Sequence, residues 1–196
     1  MRNPETTKNN ILKQSGILFN TQGYKSTSIS NITDATGYTK GAIYRHFDSK
    51  EALEKETLIY LSGIMFDKMR ELIKNQQTAG NKIREVLNFF ESYIINAPIK
   101  GGCPLLNVAI EADDANPLLK EEAAKILNSL KGSLVHILNN GIKYNQIKAD
   151  IDKNFYATII IASLEGAIMM SKLRGQNDEM KIIIRHIENQ LREIEI

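Results

Sequence analysis

The sequence predicts an all-α protein of about nine helices. Three observations carry that reading: apolar residues recur at three-, four- and seven-residue spacings almost throughout, glycines and prolines punctuate the runs, and no stretch sustains strand-like alternation. At 196 residues the chain holds one sizeable domain, or a small one fused to a larger one. The single cysteine, Cys103, excludes an internal disulfide and a multi-thiolate zinc site and points to a reducing compartment. The opening residues lack the apolar segment of a signal peptide, and the longest apolar run, 157–164, contains Thr158 and Ser163 and stops at Glu165. The expectation is a cytoplasmic protein without a membrane segment.

From the N-terminus, Ile11, Leu12, Leu18 and Phe19 stripe a first helix that Gly23 ends. Thr27 or Ser28 can cap a second carrying Ile29, Ile32 and Ala35, which Gly37 stops; Thr39 can cap a third, running through Ile43 to Phe47. Ser49 can open a fourth whose apolar positions run from Leu53 to Leu72. A fifth holds Ile83, Val86, Leu87, Phe90 and Ile94 and closes before Pro98 and Gly101-Gly102. Asn116-Pro117 separates a short sixth, about 105–112, from a long seventh, about 118–139. Asp152 caps an eighth, about 155–173, and Asn177 a ninth bearing Met180, Ile183, Ile184, Ile187 and Leu191 on one face.

Charge separates the ends of the chain. Residues 1–50 carry seven Lys/Arg against three Asp/Glu, whereas 51–196 carry 18 against 20. A basic module on a neutral-to-acidic body suits local contact with a polyanion, although scattered surface lysines give the same count. Within that module, residues 23–53 suit a helix-turn-helix. Ala35 is small where two helices would cross, Gly37 tolerates a left-handed turn, and Ile32, Ile43 and Phe47 would fill the wedge between them. Thr39, Lys40, Gly41, Tyr44, Arg45 and His46 would then face outward, with Gly41 allowing close approach to a groove floor and Lys40, Tyr44, His46 and Lys50 reaching phosphates. Taken singly, Tyr44 and His46 could equally cover the small core, and Lys50 could be a solvated helix start.

Gly23-Tyr24, Thr27-Ser28, Ile32, Gly37, the run 40–47 and Lys50-Glu51-Ala52-Leu53 closely resemble the N-terminal signature of the tetracycline-repressor (TetR) family. The resemblance implies a helix-turn-helix DNA-binding domain at 1–50 and a helical ligand-binding and dimerisation domain at 51–196. It further implies phosphate contacts from Thr27, Ser28, Tyr44, His46 and Lys50, with Thr39, Lys40 and Gly41 facing the groove. The family's frequent second tyrosine is Arg45 here. The function implied is that of a regulator that binds double-stranded operator DNA, most simply a repressor released by a small-molecule effector, with no cofactor and no metal.

The eighth helix is apolar on nearly every side, and its Ala162, Ser163, Gly166 and Ala167 would admit a close partner. The resemblance pairs this helix and the last with their symmetry mates in a homodimer; a buried core helix of a monomer is the alternative. Phe90, Tyr93, Tyr144 and Met169 are of the kind that line adaptable apolar pockets. Glu165 is either paired at a dimer seam or an anchor for a ligand's polar group, and Asn107 with Glu111 either lines the pocket or is a surface pair. Cys103, before the sixth helix, resembles cysteines that sense electrophiles in part of the family, or is a small packed residue. No metal spacing joins His46, His136 and His186, and no phosphate loop or nucleophile motif appears, so an enzyme is the weaker reading. An architectural DNA binder without a ligand is a third. Neither effector nor operator is written in the sequence.

Overall fold

Nine helices occur among the described residues of the computed structural model, which are 3–93, 97–112 and 116–196. They are α1 (Pro4–Gln22), α2 (Ile29–Thr36), α3 (Lys40–Tyr44), α4 (Lys50–Lys74), α5 (Ala79–Tyr93), α6 (Pro104–Glu111), α7 (Pro117–Lys143), α8 (Lys153–Arg174) and α9 (Asp178–Ile194). Ile94, expected on the fifth helix, lies outside the described residues.

Local chemistry sets most boundaries. Asn3 caps α1 by accepting from the Glu5 amide, and Gly23 ends it at φ 94°. Ser28 and Asn31 form a reciprocal capping box on α2, which Gly37 closes in the left-handed region at φ 68°. Thr39 caps α3, Ser49 accepts the Ala52 amide at the start of α4, and Asp152 accepts two amides of α8. Asn177 behaves otherwise than expected. Its side chain makes no capping bond to α9 and donates instead to the Glu91 carbonyl at 3.0 Å.

The chain packs as two compact units. The first gathers Met1–Ile64 with Ile99–Ile126, and the second Met65–Pro98 with Leu127–Ile196. Packing therefore divides the chain elsewhere than the expected boundary near residue 50, because α4 and α7 each run from one unit into the other.

In the first unit, Ile11, Phe19, Ile32, Ile43, Phe47 and Leu53 share one core with Val108 of α6 and Leu119 of α7. Phe19 and Tyr24 stack with ring centroids 4.7 Å apart. Ala35 is exposed, so the crossing of α2 and α3 does not depend on it; a close approach occurs instead between α1 and α4, where an added Cβ on Gly16 would meet Leu61 Cδ2 at 2.7 Å. In the second unit, Phe89, Phe90 and Tyr93 cluster on α5, and α9 packs on α5 and α8 through Ile184, Ile187 and Leu191. Arg84 grips Glu195 with two bonds of 2.8 and 2.6 Å, beside an isolated bridge between Ile147 and Glu195. By length and composition alone α8 could cross a membrane, but its Ala157, Ile160, Leu164 and Ile168 are buried in this unit.

Candidate nucleic-acid interface

Ile43 locks the inner side of α3 into the core, and that fixes which residues the helix presents outward. Thr39, Lys40, Gly41, Tyr44 and Arg45 are exposed, and His46 is half-buried. Nothing stands within 4 Å of the position a Cβ would take on Gly41, so the backbone there meets open space. The Thr39 hydroxyl accepts the Ala42 amide at 3.2 Å, and a hydroxyl that accepts can still donate outward. The Lys40 ammonium stands 5.9 Å from the Tyr44 ring centroid, placing a cation and a phenol side by side. The His46 ring tilts against Phe47, with centroids 6.3 Å apart, so it both covers the core and reaches its edge. This face offers hydroxyl, ammonium, guanidinium and phenol donors around a bare stretch of backbone, the mixture that phosphate and groove contacts use.

The remaining expected contacts are bonded within the protein. Thr27 is fully buried, its hydroxyl donating to the Gly23 carbonyl at 2.7 Å, which corrects the expectation of an outward side chain: it fastens the loop before α2. Ser28 is exposed, yet its hydroxyl donates to Asn31 Oδ1 at 2.6 Å within the capping box. The Lys50 ammonium donates to the Tyr24 carbonyl at 2.9 Å and lies 3.1 Å from Glu54. Burial pushes the Glu54 carboxyl above the usual glutamate range in spite of bonds from Lys50 and Asn116.

Residues 11–57 match the family described as bacterial regulatory proteins, tetR family, and residues 79–187, more than half the chain, match the tetracyclin repressor-like C-terminal domain. The chain belongs to the TetR family. As a TetR-family transcriptional regulator it carries the family's N-terminal helix-turn-helix, of which α2 and α3 are the two helices. A TetR regulator from Chloroflexus aurantiacus J-10-FL is 32% identical, with a TM-score of 0.94 over 100% of this chain and 98% of that one. The HTH-type transcriptional repressor DhaR of Mycobacterium sp. (strain GP1) is 24% identical over 174 residues, 88% of this chain and 86% of that protein. The TetR-family regulator CifR, solved as a cysteine mutant bound to a 26-base-pair double-strand operator, shares the fold at 18% identity and a TM-score of 0.84, over 92% of this chain and 94% of that one.

The residues expected to bind a ligand belong to both units: Cys103 and Asn107 to the first, the others to the second. Phe90 and Glu165 line a small cavity in the second unit with Val86, Leu130, Leu134 and Ile160; it holds about 10 Å³, room for one water-sized body. Tyr93 is buried, and its hydroxyl lies 3.7 Å from Met65 Sδ. Tyr144 is 65% exposed under the Lys143 ammonium and Met169 is 48% exposed. Cys103 is a buried thiol at the N-cap of α6, which favours a packed residue over an accessible sensor.

Asn107 and Glu111 have a use that the sequence does not disclose. Asn107 donates to the carbonyl and the side-chain oxygen of Asn20, at 3.2 and 2.7 Å. Asn20 in turn donates to the carbonyls of Lys100 and Gly102. Glu111 Oε2 accepts the amides of Tyr24 and Lys25 at 2.8 and 3.3 Å. Both residues of the expected pair therefore clasp α6 to the end of α1 and the loop before α2. Only the i,i+4 spacing of the pair is visible in the sequence; partners some 87 positions away leave no periodic trace.

Proposed function

We propose that the protein is a cytoplasmic, homodimeric repressor rather than an enzyme, that its two α3 helices enter successive major grooves of a pseudo-palindromic operator, and that a largely apolar small molecule releases it. The observation that carries this reading is the outward face of α3, where donors surround the open backbone of Gly41 on a helix held rigidly from behind by Ile43. A five-residue recognition helix offers few base contacts, so two copies on two half-sites supply both affinity and register.

Pairing is supported by α8, where Phe155, Ala162, Gly166, Met169 and Leu173 recur at spacings of seven, four, three and four, tracing one stripe. Phe155, Met169 and Leu173 are 52, 48 and 82% exposed, and nothing lies within 4 Å of an added Cβ on Gly166, so the stripe is both apolar and approachable. Ile182 of α9, 55% exposed, adds to the apolar surface of these last two helices. For the effector, the support is the cavity where α5, α7 and α8 meet, with one carboxylate, Glu165, among apolar walls. Its small volume means that an effector must open it, which gives the ligand a conformation to select.

Fluorescence anisotropy with a promoter fragment tests the reading. With roughly 6 to 10 phosphate contacts, raising salt from about 50 to 200 mM should weaken binding about 10³- to 10⁵-fold. A flat salt response, or equal affinity for bulk DNA, would sink it. Effector and operator must also weaken each other by one common factor, typically about five- to 150-fold.

A further inference from the structure

The outward face of α3 holds a guanidinium, that of Arg45, to which the proposed function gives no particular task. Arg45 is the C-cap of α3, still in the right-handed helical conformation at φ −72° and ψ −23°, and its amide donates to the Gly41 carbonyl at 3.2 Å. The two residues therefore stand one turn apart on one face of the helix. Below Arg45 that face is bare. Nothing lies within 4 Å of a Cβ built on Gly41, so the arginine side chain does not fold back over the gap.

Lys40 and Tyr44 form a second pair four residues apart, one position round the helix, and there the ammonium is held beside the phenol ring. Arg45 has no such neighbour. Among the described residues no hydrogen bond, ion pair or ring contact engages its guanidinium, and no ion pair joins it to the exposed Asp48 three positions on. A helix lying in a major groove meets phosphates along its flanks and base edges along the face that enters deepest. The face that can enter deepest is the one that carries least, and on α3 that is the side of Gly41. The free guanidinium one turn further along the same face is thus aimed at base edges rather than at phosphates. Guanine offers two acceptors, O6 and N7, side by side on its major-groove edge, and the guanidinium fork supplies two parallel donors to match.

We propose that Arg45 is a specificity-determining residue of each half-site: its guanidinium donates two bonds to O6 and N7 of one guanine, while Gly41 lets the backbone close on the groove floor beside it. The assignment rests on α3 entering the major groove. Sequencing the bound and unbound fractions of a randomised duplex library, with the full chain and with Arg45→Ala, tests it. The native chain should select a guanine at symmetry-related positions of the two half-sites, by about five- to 150-fold over the other bases. Arg45→Ala removes an exposed side chain that leaves no partner unsatisfied, so it should keep its helical content; it should lose the preference for that guanine alone and keep its preferences elsewhere. Replacing the guanine by 7-deazaguanine, which lacks the N7 acceptor, should weaken binding of the native chain at least about fivefold and that of Arg45→Ala less than about twofold. Weakening of Arg45→Ala toward all sequences alike would make Arg45 a phosphate contact and overturn the assignment while operator binding stands. A guanine preference that survives the substitution, or equal losses by both proteins on 7-deazaguanine, would overturn it too. A native chain that selects no sequence would overturn the operator reading and this assignment together.

Discussion

At Gly41 the side chain is missing where the surface is open, and that contrast can be tested one residue at a time. Glycine inside a helix costs roughly 0.5–1 kcal/mol against alanine, so Gly41→Ala should leave stability equal or raise it by about that amount in urea melts. The same variant should lose at least about tenfold in operator affinity if α3 meets the groove floor there; unchanged affinity would place the approach elsewhere. Glu54 carries a second prediction at this scale. Because burial holds its folded value above the unfolded value of about 4.3, its contribution to stability is present below that value and is lost as pH rises through the folded one. Denaturation midpoints of Glu54→Gln relative to the native chain should therefore climb as pH rises from about 4 through the raised folded value, and a flat difference would mean that the carboxyl is not perturbed. Residue roles are unevenly legible in the sequence. Ser28, Gly37 and Thr39 declare themselves because caps and left-handed turns are local chemistry. Thr27 and Asn177 do not, since both could cap a helix and only the packed chain shows their oxygen and nitrogen bound elsewhere.

Element by element, periodicity locates each of the nine described helices, with ends a few residues adrift where capping is weak. Periodicity cannot show which helix touches which, so α6 reads as a pocket wall although it is clasped to the helix-turn-helix by Asn107 and Glu111. The turn leading into α6 is part of that clasp, since the Gly101 carbonyl also accepts from Asn107. Gly101 sits at φ 103°, and a Cβ there would stand 2.3 Å from the Asn20 carbonyl oxygen. Gly101→Ala should consequently cost more than about 2 kcal/mol in equilibrium unfolding, since strain and a backbone collision coincide. Glu111→Gln retains the shape but loses the charge that two amides share, and about 1–2 kcal/mol should go with it. If Gly101→Ala proved neutral, the turn would have to relax in a way that frees Asn20.

For the molecule as a whole, the proposed dimer depends on which apolar residues the units leave uncovered. Ile160 of α8 and Ile187 of α9, on the two helices that the family resemblance pairs, are only 4 and 1% exposed; a charge on either should unfold the second unit. Met169 and Leu173 are exposed, and Met169→Glu or Leu173→Glu should yield a folded monomer by sedimentation, with helical content retained and operator binding lost. A dimer that survives both substitutions would move the pairing surface off α8. The sequence makes α8 apolar on nearly every side but cannot say which side the protein itself covers, because both demands write the same letters.

Cys103 is the only thiol in the chain and it is buried at the first residue before α6. A neutral disulfide reagent can reach it only in moments when that segment lifts away, so the speed of its colour change under native conditions counts those openings. The protein thus carries its own clock for the clasp. Loosening Glu111 should make it run faster, and any molecule that tightens α6 should slow it, without a label ever being engineered.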